Sequence, residues 1–247
     1  MSAPRRRLDA ELVRRGLAAS RTQAAEAIAA GRVTVGGAPA DKASRLVAAG
    51  EPVEVLGPPP RFVSRGGEKL DAALEHFGVD VRGLRALDAG ASTGGFTDCL
   101  LQRGAAHVVA VDVGHGQLHP RLRSDPRVEV RERTNVRSLR PDDVGGPFDV
   151  VVADLSFISL TTVLGGLVAL ARPGAPLVLL VKPQFEAGRA EVSRGRGVVR
   201  DPAVHAQVRA RVDDAVRSTG AAIMGWMTSP LRGADGNVEF FVHAVAA

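Results

Sequence analysis

Four short apolar runs carry a charged residue at or near their ends: 84–88 ends in Asp88, 107–113 carries Asp112, 148–154 ends in Asp154, and 177–182 ends in Lys182. Runs this short and this apolar read as strands buried on both faces. Helical patterns lie between them at 96–102 and 160–171, with another at 204–218. Further strand patterns occupy 128–130, 221–227 and 238–245, the last entered at Glu239. Strands alternating with helices predict a mostly parallel α/β sheet covered by helices on both faces. Ligands of such sheets bind beyond the carboxyl ends of the strands, so Asp88, Asp112, Asp154 and Lys182 are expected at one shared edge.

The first run continues into a glycine-rich turn with Gly90, Gly94 and Gly95, and then into a helix from Phe96. Glycines there let a ligand approach backbone, and the helix start offers unpaired N–H donors. A dinucleotide site would place its second glycine at position 92, where the chain has Ser92. The turn therefore suits a ligand without a pyrophosphate. Asp112, about 20 residues after this turn, is placed to accept ribose hydroxyls. Together these features read as an S-adenosylmethionine site. Its expected contacts are Asp88, Gly90, Ala91, Ser92, Gly94, Gly95, Phe96, Asp112, Val113, Asn135 and Asp154.

The net charge of +5 is unevenly spread: residues 1–61 hold ten Lys and Arg against six Asp and Glu, and the remainder is nearly balanced. A basic module beside a near-neutral domain fits a polyanionic partner, the plainer alternative being a solvated basic face. Within the module, Leu8, Leu12 and Val13 share one helical face. Ser20 with Gln23 forms a capping box for a second helix, which buries Ala24, Ala25, Ile28 and Ala29. The strand 33–35, the turn Gly36-Gly37 and the pair Val53 and Val55 complete it. The pattern Arg7-Leu8-Asp9, Gly16-Leu17, Ser20-Arg21, Ala24, Ile28, Gly31, Val33, Val35 and Gly37 resembles the ribosomal-protein-S4-type RNA-binding module. That resemblance implies an RNA-facing surface with Arg5, Arg7, Arg21 and Lys42. No aromatic lies between residues 1 and 61, so recognition through shape and phosphate is expected rather than base stacking.

Gly57 and three prolines form a stiff linker. A helix follows at 68–77, with Lys69 in its first turn and off its apolar stripe. The chain has only three lysines, at 42, 69 and 182, among 32 basic residues. Lysine can surrender a proton where arginine effectively cannot, which singles out Lys69 and Lys182. The segment 184–200, with Arg189, Arg194, Arg196 and Arg200, reads as a mobile RNA-contacting flap or an inert surface loop. Asp112, His115 and His119 lack the spacing of a metal site, so no metal is expected. The single cysteine, Cys99, cannot form an internal disulfide, and no apolar run is long enough to span a bilayer; both point to the cytoplasm.

Lys69, Asp154, Lys182 and Glu239, around the turn that starts at Asp88, resemble the Lys-Asp-Lys-Glu tetrad of FtsJ-type ribose 2′-O-methyltransferases. With the N-terminal module, the chain resembles the TlyA, or haemolysin A-like, family nearly end to end. The segments 64–70, 88–96, 154–160 and 181–186 carry this, while Arg61-Phe62-Val63 departs from members that have Trp in the interdomain tetrapeptide. The resemblance implies an S4-type domain at 1–57, a linker at 58–64 and, at 65–247, a Rossmann-like class I methyltransferase domain with a mostly parallel seven-stranded sheet. It implies methylation of cytidine 2′-hydroxyls in 16S rRNA, 23S rRNA or both, with Arg65 also facing RNA; a monomer is expected. Lys182 is expected to contact the 2′-oxygen as base or proton acceptor. Lys69 would lower the proton affinity of Lys182, whereas Asp154 and Glu239 would orient the amines and oppose that effect. The competing classes are a non-catalytic ribosome assembly factor, a membrane-active haemolysin and a small-molecule methyltransferase.

Overall fold

The computed structural model describes residues 5–18, 20–58, 60–188, 193, 195–233 and 235–247. The chain divides into two compact units, one ending at Arg61 and one spanning Phe62–Ala247.

In the first unit, β1 (Arg6–Arg7) runs directly into α1 (Leu8–Arg14), followed by α2 (Arg21–Ala29). Four short strands follow: β2 (Val33–Val35), β3 (Ala38–Pro39), β4 (Leu46–Val47) and β5 (Val53–Val55). They form an antiparallel β3-β2-β5 sheet and a β1-β4 pair. Leu8 and Leu12, one helical turn apart, meet Ala24, Ile28, Val33, Val35 and Val47 in a small core. Ser20 Oγ accepts the Gln23 N–H at 3.1 Å, the contact expected of an N-cap. The buried face of α2 is narrower than its alanines imply. Ala24, Ala27 and Ile28 are buried, Ala25 is half-buried and Ala29 is exposed. Positions 24, 27 and 28 make a single stripe, and 25 and 29 lie about 100° or more around the helix from it.

The second unit opens with α3 (Arg65–Phe77), β6 (Arg85–Ala89), α4 (Gly95–Gln102) and β7 (His107–Val111). It continues through α5 (Pro120–Arg123), β8 (Val128–Arg131), β9 (Val150–Ala153), α6 (Leu160–Ala169) and β10 (Pro176–Val181). The last elements are α7 (Pro183–Glu186), α8 (Pro202–Ser218), β11 (Ala222–Thr228) and β12 (Phe240–Val245). The strands form one seven-stranded sheet in the order β11-β12-β10-β9-β6-β7-β8. Only β12 runs against its neighbours.

Strand alternation splits the core in two. Leu87, Val109, Val151 and Leu179 pack on one face with Leu164, Leu167, Val208 and Val212 from α6 and α8. Ala86, Val108, Val152 and Leu180 pack on the other with Leu70, Leu74, Cys99 and Leu100 from α3 and α4. Phe62 and Val63, read from sequence as linker, are buried in this second cluster. Helix α3 accordingly begins earlier than the sequence suggests, at Arg65 after the N-cap Ser64. Gly66 and Gly67 lie inside the helix, and a side chain at Gly67 would collide with the Phe62 ring, its Cβ lying 2.3 Å from Cγ. Among the described residues no helix is long and apolar enough to cross a membrane.

Candidate active site

The carboxyl edge of the sheet opens into a cleft of about 500 Å³ between the ends of β6, β7 and β9. Of the residues named from sequence as cofactor contacts, Gly90, Ser92, Asp112, Val113, Asn135 and Asp154 line it. Gly90 has φ 87, and a Cβ there would stand 2.6 Å from the Asp154 carbonyl oxygen. Glycine is thus required for the β6 and β9 ends to close together beneath a ligand. Asp112 Oδ2 accepts the Ser92 N–H at 2.8 Å and Oδ1 accepts the Gly114 N–H at 2.6 Å. These bonds orient the carboxylate, and each oxygen keeps a lone pair for a further donor.

Ala91, Gly94, Gly95 and Phe96 are not brought to the cleft. Ala91 and Phe96 are buried in the core shared with α3, and Phe96 stacks on Phe241 with ring centroids 6.1 Å apart. Gly95 meets α3 instead: a Cβ on it would lie 2.3 Å from Ser64 Oγ and 2.9 Å from the Gly67 backbone nitrogen. The glycines of the turn and those of α3 therefore let two helix starts approach closely, which seats the helix carrying Lys69.

Asp88 lies under the turn, fully buried, and accepts the Thr97 hydroxyl at 2.6 Å through Oδ2. Among the described residues its Oδ1 has no hydrogen-bond partner. Burial pushes its carboxyl up to about 7, against the Thr97 hydrogen bond and with added repulsion from Asp154 and Asp112. Between the ordinary carboxylate range and pH 7 the folded chain holds a proton that the unfolded chain releases. Stability therefore falls as pH rises through that window, by on the order of 4 kcal/mol for a shift of about three units. Asp88→Asn is expected to flatten this slope. Urea unfolding at pH 4.5 and pH 8, followed through Trp226, the single tryptophan, measures it. Equal pH dependence in the variant and the parent protein would show that Asp88 is ionised when folded.

Beside the cleft stand two amine–carboxylate pairs. Lys69 Nζ, from α3, lies 2.6 Å from Glu239 Oε2, with both side chains nearly inaccessible. Lys182 Nζ lies 2.6 Å from Asp154 Oδ1 and donates to Ser156 Oγ at 2.8 Å. Asp154 Oδ1 is close but off the bonding direction, since it accepts no aligned hydrogen bond. The strand ladder accounts for the grouping. Val181 pairs with Phe240 and Leu179 with Ala153, so Lys182, Glu239 and Asp154 sit on the ends of three adjacent strands. Neighbouring strands are about 4.8 Å apart. Lys69, read from sequence as lying in the first turn of its helix and off the apolar stripe, is buried, and Glu239 compensates its charge at contact distance.

The sequence did not single out Ser156, Gln117, Thr134 or Phe157, all of which line the cleft. Phe157 is 92% exposed and adopts φ 64, a left-handed conformation that bulky residues seldom take. Its only sequence signal is its place directly after Asp154-Leu155-Ser156. The segment 184–200 is not a free flap where it is described. Glu186 and Val199 are buried, and the Asn237 side chain holds both the Val199 N–H and the Gly197 carbonyl. Arg189 and Arg194 lie outside the described residues. His115 pairs with Glu132, and among the described residues no His, Cys, Asp and Glu side chains group as metal ligands.

In the N-terminal unit Arg5, Arg7, Arg21 and Lys42 are exposed, and Arg65 is exposed on α3 of the second unit. Arg7 and Arg21 also grip the buried Asp9, at 3.0 and 2.8 Å, and Arg7 above all holds that carboxyl well below the usual range. Part of their charge therefore serves the fold of the unit.

Residues 62–245 match the FtsJ-like methyltransferase family, and residues 6–53 match the S4 domain. The chain is 55% identical over 241 residues to the 16S/23S rRNA (cytidine-2′-O)-methyltransferase TlyA of Mycobacterium tuberculosis, covering 97% of this chain and 90% of that one. It is 37% identical to Hemolysin A of Brachyspira hyodysenteriae, with 97% and 99% covered. A solved structure of a hemolysin-named protein from Streptococcus thermophilus superposes with a TM-score of 0.79 at 39% identity, covering 100% of this chain and 90% of that one.

Proposed function

The chain belongs to the FtsJ-like methyltransferase family, and from that premise we propose that it methylates the ribose 2′-oxygen of cytidine in 16S rRNA, 23S rRNA or both, as a cytoplasmic monomer using S-adenosylmethionine. The observation that carries the reading is the arrival of an amine and two carboxylates on adjoining strand ends, with a second amine brought to them by α3, beside a cleft with a glycine floor.

S-adenosylmethionine, when bound, supplies an activated methyl group on a sulfonium. The cleft fits it: its volume suits a nucleoside-sized ligand, Asp112 and Asn135 offer polar contacts, and Val113, Val136, Leu155 and Ile158 offer apolar walls. Lys182 is the amine closest to this cleft by sequence of contacts, through Asp154 and Ser156. It is placed to take the proton of a ribose hydroxyl or to hold charge developing on its oxygen. Asp154 and Ser156 aim that amine. Lys69 and Glu239 form a buried, mutually neutralised brace at the neighbouring strand end. The exposed Phe157 offers a face on which an unstacked base can rest. The N-terminal unit contributes exposed arginines and no aromatic, a surface for phosphates.

The test is tritium transfer from labelled S-adenosylmethionine to ribosomal subunits from a strain lacking this protein, followed by mapping of ribose methylation. Label confined to the 2′-oxygen of one or a few cytidines is expected. Label on bases or protein, or no transfer to either subunit, would overturn the reading.

A further inference from the structure

We infer that Gln184 reads the base of the methylated nucleotide, in a groove beside Lys182 walled by Phe157 and Phe185. This rests on the ribose-methylation reading above. The groove encloses about 320 Å³ and is lined chiefly by Phe157, Ile158, Ser159, Gln184 and Phe185. Phe157 and Ile158 also line the donor cleft, so the two cavities adjoin across that ridge. Lys182 Nζ lies 5.9 Å from the centre of the Phe185 ring. In a nucleotide the base is attached to the carbon next to the one bearing the 2′-hydroxyl. A hydroxyl held at the Lys182 amine therefore brings its base within reach of the groove.

The groove is built rather than incidental. Glu186, 4% exposed, accepts the Ser159 hydroxyl and the Leu160 N–H, each at 2.6 Å. This carboxylate staples α7 to the loop 154–159, fixing the two rings relative to each other. The aromatic rings stand 5.4 Å apart, tilted by 52°, so they touch and form a single apolar wall. The exposed ring of Phe157 can take one face of an extruded base, leaving its edge to be read by polar groups.

Gln184 is such a group, and the protein makes no use of it. Among the described residues its Oε1 is buried with no hydrogen-bond partner, and its amide nitrogen has none either. Native structures seldom leave a buried amide oxygen unanswered unless something outside the chain answers it. An amide sets an acceptor beside a donor, the complement of the N4 amino group and N3 acceptor of cytosine. Held in that orientation, its carbonyl would face the O4 carbonyl of uracil, which repels it.

The test compares the parent protein with Gln184→Met and Gln184→Glu, on subunits lacking the modification and on subunits carrying uridine at the mapped position. The Met variant should bind S-adenosylmethionine as the parent does. It should lose about 10- to 100-fold in kcat/KM on the cytidine substrate, the range of one bidentate contact, and no more than about threefold on uridine. Gln184→Glu keeps the shape but sets a carboxylate oxygen against the N3 acceptor of cytosine, so it should lose at least as much on cytidine as the Met variant; it carries the test if the Met variant folds poorly. Unchanged kcat/KM and unchanged preference in both variants would overturn the inference. Equal loss on both nucleotides would also overturn it, because that marks a packing role. A parent protein that methylates neither substrate would instead overturn ribose methylation itself, and this inference with it.

Discussion

Lys182→Arg is expected to lower kcat for methyl transfer by about 10²- to 10⁴-fold, the usual contribution of a positioned acid–base group, with affinity for S-adenosylmethionine within about twofold of the parent protein. Arginine preserves the positive charge but does not release its proton at any relevant pH, and its planar fork does not replace a compact amine. The position leaves little room for it, since Nζ already stands 2.6 Å from Asp154 and 2.8 Å from Ser156. Lys182→Met removes the charge as well and should be at least as slow. Calorimetric titration of the cofactor beside single-turnover transfer separates binding from chemistry. An Arg variant that turns over at the parent rate would remove Lys182 as proton acceptor and leave it a purely electrostatic part.

The second large effect concerns stability. Lys69 and Glu239 are separated by 170 residues, and both are removed from water. Taking away one partner strands a buried charge, which costs about 3–5 kcal/mol. Lys69→Met and Glu239→Leu should each lower unfolding stability by that amount. The double variant should recover to within about 1–2 kcal/mol of the parent, because a buried ion pair replaced by apolar groups of similar size is often close to neutral. It should remain inactive. Urea unfolding read through Trp226, together with methyl transfer, gives both quantities. Strictly additive single losses would show that the two groups are not coupled. A stable, active double variant would show that the pair braces the fold without serving the reaction.

Much of the sheet was legible in the one-dimensional pattern. The runs ending in Asp88, Asp154 and Lys182 form β6, β9 and β10; Asp154 and Lys182 lie just past their strands, where a buried parallel strand can bear a charge as it emerges, whereas Asp88 stays buried inside β6. The small core of the N-terminal unit was legible for the same reason, down to the Ser20 cap. The glycine turn was legible as a turn but not in its division of labour. Gly90 makes room at the cleft floor, whereas Gly95 makes room for α3. Both look alike in sequence, and what distinguishes them is which backbone crosses above.

The sequence alone determined the order of strands and helices, the apolar character of each strand and the identity of the polar residue at its end, because these follow from periodicities of two and of 3.6 along a single chain. Tertiary structure decided the partners. Reversal of β12 carries Glu239 to the edge that Lys182 occupies, helix α3 then turns Lys69 inward to meet it, and Glu186 ties two loops into the walls that flank Gln184. Such contacts join residues tens to hundreds of positions apart, and no local preference encodes them. They exist because a charge or amide withdrawn from water needs a partner, and only the packed chain determines which one lies within reach.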